Sequence, residues 1–227
     1  LSFKRTKVSR EEFSTCISGV FSRSACLLLV LFVLGEGFCL SEIPETARFE
    51  RIGPYGGTVR SLLVSPKDSR VVYLGTSDGQ LFKSKDGGVS WILLYPGIKL
   101  RQFVIDSIVE CLVNSPGSEN HLFAGTSTGL YESQDGGNIW ERVPAGLLNV
   151  SISSIVFLDS TGRRILAADN TFGGVMLSED AGNRWEKIED PEFSSPVRRL
   201  MQDSSHPSII YVGTSTESVY RLSLKAF

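Results

Sequence analysis

The chain has 227 residues, 41% hydrophobic, 10% aromatic and 21% charged, enough apolar side chain for one or two packed cores, which excludes wholesale disorder and a collagen-like array. A formal charge of -2 and a pI near 5.8 set up no large positive field, which argues against nucleic acid as a partner. The first element in chain order is an N-terminal segment. Lys4, Arg5, Lys7, Arg10 and Arg23 outnumber Glu11 and Glu12, and the apolar run Ala25 to Leu34 follows, closed by Gly35-Glu36-Gly37. A membrane-spanning helix needs roughly 20 apolar residues, and Glu36 interrupts this run too early. The layout is that of a secretory signal peptide. We therefore expect residues 1–40 to be a signal peptide or N-terminal hydrophobic segment, 41–47 a linker and 48–227 the folded body. The expected location is secreted, periplasmic or extracellular, with membrane contact only through an uncleaved N-terminal segment.

Cys16, Cys26 and Cys39 lie in or beside that segment and Cys111 falls in the body, so no disulfide can form within the body. Cys111 sits in the apolar run Ile108 to Val113 and reads as a small core residue rather than a nucleophile.

From about residue 48 the chain repeats. Its loudest unit is SKDGGVSW at Ser84 to Trp91, SQDGGNIW at Ser133 to Trp140 and SEDAGNRW at Ser178 to Trp185. Asp86, Asp135 and Asp180 lie 49 and 45 residues apart, a period that means a solenoid or propeller array. Before each phrase comes an apolar strand (Val59 to Val64, Ile108 to Val113, Ile152 to Phe157), a turn, and a second strand (Val71 to Gly75, His121 to Gly125, Arg164 to Ala168). A short turn then leads to a third strand that carries the serine. Closely spaced turn signals and β-branched enrichment predict β-meanders, one four-stranded antiparallel sheet per unit.

The phrase itself is hairpin chemistry. The carboxylates of Asp86, Asp135 and Asp180 accept turn N–H groups, and Gly87, Gly136 and Gly182 supply positive φ. The hydroxyls of Ser84, Ser133 and Ser178 add a bond across each turn. Trp91, Trp140 and Trp185 open the fourth strand, where a large ring can wedge between sheets. These residues are read as structural, not as acids, bases or calcium ligands.

The phrase S-x-D-G-G-x-x-W resembles the Asp-box, or BNR repeat, of β-propellers such as sialidases, sortilin, xyloglucan-cleaving endoglucanases and photosystem II assembly factors. The resemblance covers about Ala47 to Phe227. It implies an all-β propeller, part or small ring, of four-stranded antiparallel blades, with three full blades plus one mixed or incomplete blade. It also implies that the boxes lie on turns remote from the ligand face, so they name no activity.

Both ends bear on closure. Phe49-Glu50-Arg51-Ile52 echoes the fourth-strand openings Trp140-Glu141-Arg142-Val143 and Trp185-Glu186-Lys187-Ile188. At the other end, Pro196 to Met201, Ile209 to Gly213 and Ser218 to Leu224 supply three strands of a last unit whose box has degenerated to Ser223-Leu224-Lys225-Ala226-Phe227. An N-terminal strand is able to complete such a blade. The lack of an initiating methionine and the failed last box favour an incomplete propeller.

Motif chemistry is sparse. His121 and His206 are far apart, and no paired-cysteine or H-E-x-x-H spacing, G-x-S-x-G elbow or P-loop occurs, so neither metal nor cofactor is expected. Glycoside hydrolysis needs two carboxylates across a cleft. Asp78, Asp106, Asp169 and Glu217 fall on the expected ligand face without converging, and Arg60 and Arg198 open innermost strands. The Phe-Arg-Ile-Pro type motif that a sialidase resemblance would imply is missing. The most distinctive surface is the first inter-blade loop, with Tyr95, Lys99, Arg101, Gln102 and Phe103, whose arginine and tyrosine are interface-type residues. The expected function is therefore an exported non-enzymatic binding module for a protein or glycan, through Tyr95, Lys99, Arg101 and Phe103. An endoglucanase-like glycoside hydrolase and a photosystem II assembly-type factor are the alternatives.

Overall fold

A computed structural model describes residues 48–54, 57–94, 99–100, 103–104, 107–143, 147, 149–191, 193–216 and 218–224, with backbone alone at 99–100 and 103–104. The readings made for residues 1–47 lie outside these. The body, Arg51–Phe227, is one compact unit. Its first sheet is the meander β1 (Val59–Val64), β2 (Val72–Thr76), β3 (Leu81–Ser84) and β4 (Ile92–Leu94). A two-stranded hairpin, β5 (Lys99–Leu100) and β6 (Phe103–Val104), follows in the junction. The second sheet is β7 (Val109–Asn114), β8 (Leu122–Thr126), β9 (Gly129–Ser133) and β10 (Glu141–Arg142). The third is β11 (Ile152–Phe157), β12 (Ile165–Asp169), β13 (Val175–Ser178) and β14 (Glu186–Lys187). The fourth has three strands, β15 (Val197–Gln202), β16 (Ile209–Thr214) and β17 (Val219–Ser223). All pairings are antiparallel, as the turn spacing predicts, and the expected blades are present.

The sheets are built on one register. The first strand of each carries a bulge at its second residue, Arg60, Glu110, Ser153 or Arg198. Just beyond the bulge Ser61 faces Gly75, Cys111 faces Gly125, Ser154 faces Ala168 and Arg199 faces Gly213. A bulge adds local twist and re-aims the strand, so the same device recurs in every blade. Turns repeat too: Ser77, Ser127, Asn170 and Ser215 each donate a backbone N–H to the residue ahead of the first strand, at 2.9 to 3.0 Å.

First strands pack in sequence order, β1 on β7, β7 on β11 and β11 on β15. Between them the sheets stack face to face through apolar side chains. Leu63, Tyr73, Leu81 and Leu94 meet Leu112, Leu122, Ala124, Tyr131 and Trp140 at the first junction. Cys111, Phe123 and Leu130 meet Ile155, Ile165, Ala167 and Trp185 at the second, and Leu166, Ala168 and Val175 meet Leu200, Ile210 and Val212 at the third. In the second and third sheets β8 and β12 are buried on both faces, which is why they read as unbroken apolar runs instead of alternating.

The N-terminal echo of a fourth strand is not realised as one: residues 51–54 belong to no strand and β15–β17 remains three-stranded. Ile52 lies instead on the first box, where the Trp91 indole N–H donates to its carbonyl.

Candidate functional site

The three box phrases fold alike. Ser84, Ser133 and Ser178 donate to Oδ1 of Asp86, Asp135 and Asp180 at 2.8, 2.9 and 3.1 Å. The same hydroxyls accept the N–H of Gly88, Gly137 and Gly182 at 2.8, 2.9 and 2.8 Å. Each aspartate accepts the backbone N–H four residues on, from Ser90, Ile139 or Arg184. Each indole donates to the glycine carbonyl three residues back, at 2.9 Å.

These bonds set the acidities. The Ser90 hydroxyl and N–H, with the Ser84 hydroxyl, hold the Asp86 carboxyl down at about 2. At Asp135 partial burial pushes upward, yet the Ile139 N–H, the Ser133 hydroxyl and the Asn138 N–H together carry it below the usual carboxylate range. The Arg184 N–H lowers Asp180. A carboxylate held ionised by turn donors is poorly suited to shuttle protons near neutral pH. Gly87, Gly136 and Gly182 have φ of 75, 72 and 94° as the turn chemistry requires, and Ala181 shares this region at 64°. Trp140 and Trp185 are buried between sheets, and Trp91 is half-buried.

One cavity lies at the hub. Arg60, Ser61 and Leu62 of β1, Glu110 to Val113 of β7, Ser154 and Ile155 of β11, and Arg199 and Leu200 of β15 line a cavity of about 310 Å³. The Arg60 guanidinium lies 3.4 Å from both Glu110 oxygens across the first junction. Arg199 makes no side-chain hydrogen bond or ion pair among the described residues. The walls carry hydroxyls and a thiol used between blades: Ser61 donates to the Val109 carbonyl at 3.1 Å, the Cys111 thiol points at the Ile152 carbonyl at 3.8 Å, and the Ser154 oxygen accepts the Leu200 N–H at 3.1 Å. Burial, aided by the Glu110 charge and countered by the Gly125 N–H, pushes the Cys111 thiol up to about 12, which keeps it protonated and unreactive.

Of the acids and arginines singled out from sequence, the lining of this cavity includes one. Arg60 lines it as its position at the strand opening suggests, but in the fourth sheet Arg199, one residue beyond the bulge, lines the cavity in place of Arg198. Asp169 is buried and accepts the N–H groups of Thr171 and Phe172 at 2.7 and 3.0 Å, a turn-forming acid. Asp78 is exposed in the turn after β2. Lys99 and Phe103 belong to the β5–β6 hairpin, whose first strand runs beside β10. Tyr95, Arg101, Gln102, Asp106 and Glu217 lie outside the described residues. Glu110 was missed in sequence, since a lone acid in an apolar strand carries no motif. Aligning the repeats on their Gly or Ala partners would have found its position. Among the described residues no three His, Cys, Asp or Glu side chains cluster as a metal site requires.

No family model and no curated protein matches the chain. Solved structures do. An ancestral GH74 enzyme is 27% identical, with a TM-score of 0.63 over 74% of this chain and 23% of that one. The GH74 xyloglucanase from Xanthomonas campestris is 19% identical, with a TM-score of 0.57 over 74% of this chain and 28% of that one. YCF48 bound to D1 peptide is 18% identical, with a TM-score of 0.51 over 73% of this chain and 54% of that one.

The chain has a β-propeller fold with three turns of the Asp-box pattern. It spans about a quarter of the length of the GH74 chains and about half that of YCF48. With this fold it offers a general module: boxes on the outer turns brace the sheets, and the hub presents polar groups from all four first strands.

Proposed function

We propose that this propeller is an exported, non-enzymatic module that binds a protein or glycan ligand over its hub, with the β5–β6 junction at the rim. The observation that carries the reading is the charge arrangement in the hub cavity. Its carboxylate among the described residues, Glu110, is paired with Arg60, and Arg199 makes no side-chain hydrogen bond or ion pair among the described residues. An arginine presented in a concavity with neighbouring hydroxyls suits bidentate recognition of a carboxylate or of vicinal hydroxyls. Two carboxylates roughly 5–9.5 Å apart, as glycoside hydrolysis needs, are not found among the described lining residues. Lys99 and Phe103, together with Tyr95 and Arg101, belong to the longest junction, residues 95–108 against 143–151 and 188–196. Export rests on the basic and apolar pattern of residues 1–34.

A second reading, hydrolysis of a xyloglucan-like polysaccharide, is favoured by the likeness to the GH74 enzymes. Probing peptide and glycan arrays, then titrating the hits by calorimetry, separates the two. Binding is expected to weaken about tenfold or more in Arg199→Ala, equal to about 1.4 kcal/mol, with smaller losses in Lys99→Ala and Arg101→Ala. Release of reducing ends from xyloglucan that disappears in Glu110→Gln would replace the binding reading with the hydrolase. A peptide ligand, the class seen on YCF48, would leave Glu110→Gln without a catalytic phenotype.

A further inference from the structure

At the end of the second strand Thr76, Thr126 and Thr214 stand opposite Val59, Val109 and Val197, and in the third sheet Asp169 holds that place opposite Ile152. Each threonine hydroxyl closes its own turn on the carbonyl of Gln80, Gly129 or Ser218. The acid acts differently. Its Oδ1 accepts the N–H groups of Thr171 and Phe172, inside a turn that is longer than its counterparts, and its Oδ2 makes no hydrogen bond among the described residues. A carboxylate only 5% exposed, with no ion pair among the described residues, is costly to keep in a fold. Yet Oδ2 is not sealed off as the Tyr131 hydroxyl is. It remains an acceptor for something from outside.

The same turn holds an aromatic ring out to solvent. Phe172 is 70% exposed, on backbone that is tied down at every step: Asp169 holds its N–H, Gly173 (φ 83°) lies so close to Ser194 that a Cβ would fall on that carbonyl, and Gly174 (φ 109°) lies against the Lys187 side chain. One exposed apolar side chain is ordinary on a protein surface. A ring fixed beside unused polar groups is a different matter, because preorganised aromatics with a few placed polar atoms are how binding sites are built. Asn170 Oδ1 accepts the Ser215 hydroxyl at 2.8 Å across the third junction, and its amide N–H groups have no partner among the described residues. Thr171 Oγ1 accepts the Ser151 N–H at 2.8 Å, which leaves its own proton to donate. The turn stands where β11 and β15 enter the hub, since Asn170 donates its backbone N–H to the Ser151 carbonyl and Gly174 to the Ser195 carbonyl.

We propose that the β12–β13 turn is a subsite for one neutral pyranose residue of a glycan, with Phe172 stacked on the C–H face of the sugar, the Asn170 amide and Thr171 hydroxyl donating to its hydroxyl oxygens, and Asp169 Oδ2 accepting a hydroxyl proton. This rests on the binding reading above and selects the glycan from its two ligand classes. The choice follows from the chemistry. A pyranose carries an apolar face rimmed by hydroxyls that both donate and accept, which matches a ring set beside uncharged donors and one acceptor. An acidic ligand meets a carboxylate here and no cation among the residues of the turn. A basic peptide side chain is the competing occupant, through the same ring and carboxylate, but it brings no acceptor for the Asn170 and Thr171 donors.

The test is calorimetric titration of the full chain with cellotetraose, mannotetraose and xylotetraose, and with tetragalacturonic acid and tetralysine as charged contrasts. At least one neutral tetramer is expected to bind and the charged probes are not. Phe172→Ala should weaken that sugar about tenfold or more at an unchanged melting temperature, and Phe172→Trp should keep it. Asp169→Asn should also weaken it. Should that variant melt well below the parent, the two Phe172 variants decide alone, because their side chain is exposed and bears no core contact to lose. No binding of any neutral tetramer overturns the proposal, as does a sugar indifferent to Phe172→Ala, or Phe172-dependent uptake of tetralysine in place of sugar. A neutral tetramer lost in Arg199→Ala and retained in Phe172→Ala overturns this subsite while leaving the hub reading in place, whereas a chain that takes up no peptide and no glycan overturns both.

Discussion

The Cys111 thiol lies 3.8 Å from the Ile152 carbonyl, in the register position from which Ser61 donates to Val109 one blade earlier. A thiol here does the work of a hydroxyl as a weak donor between first strands. Cys111→Ser is therefore expected to change stability by no more than about 1 kcal/mol. Cys111→Val, which removes the donor and adds a branched side chain against Gly125, should cost about 1–3 kcal/mol. Urea unfolding of both variants checks this. In a chain with Cys16, Cys26 and Cys39 changed to Ser, Cys111 should resist a thiol reagent at pH 8 until the protein is unfolded, because burial holds the thiol protonated.

The glycines opposite this row make a sharper test. A Cβ on Gly125 would sit 2.5 Å from both the Cys111 sulfur and the Ile152 carbonyl oxygen. Backbone cannot step aside cheaply, so Gly125→Ala is expected to lose about 1–3 kcal/mol. At Gly213, the counterpart in the fourth sheet, the nearest atoms are 3.8 Å away. Gly213→Ala should be neutral or slightly stabilising, by up to about 1 kcal/mol through the unfolded chain. Equal losses at the two positions would mean that close packing between first strands does not set the glycine requirement.

Much of this architecture was legible because the box is a local code. Ser84, Asp86, Gly88 and Trp91 satisfy one another within eight residues, so their order in sequence is enough to place the turn, the strands beside it and the repeat. The hub was not legible in the same way. Arg60, Glu110 and Arg199 come together across three blade junctions from unlike positions, Arg60 and Glu110 at the bulge and Arg199 one residue beyond it, so no single offset in the repeat marks the lining. The echo at Arg51-Ile52 was a true sign of fourth-strand character, yet hydrogen bonding did not follow: Ile52 occupies the fourth-strand place over Gly88 without a ladder to join.

Ala181 is the third box's departure from the Gly-Gly pair, and it adopts φ of 64° where Gly87 and Gly136 adopt 75 and 72°. A side chain in the left-handed region costs about 1–2 kcal/mol, part of which is offset by the greater freedom that glycine has when unfolded. Ala181→Gly is expected to stabilise the protein by about 0.5–1 kcal/mol, read as a higher urea midpoint. No gain, or a loss, would mean that the Ala181 methyl group makes compensating contacts.

The boxes also predict how the fold responds to acid. In the folded chain the Ser90 hydroxyl and N–H and the Ser84 hydroxyl keep Asp86 at about 2, below its ordinary 3.8, and the Arg184 N–H lowers Asp180. A carboxyl with a lowered folded pKa stabilises the fold above its unfolded value, and that contribution disappears as pH falls through the folded value. Melting temperature should thus be insensitive to these groups above about pH 5 and drop steadily between about pH 4 and 2. Asp86→Asn keeps the size of the side chain but removes the titration, so its melting temperature should start lower at pH 7 and converge on the parent near pH 2. A constant gap between the two across the whole range would place the acid sensitivity elsewhere, in which case Asp180→Asn and Asp135→Asn compared in the same way would locate it.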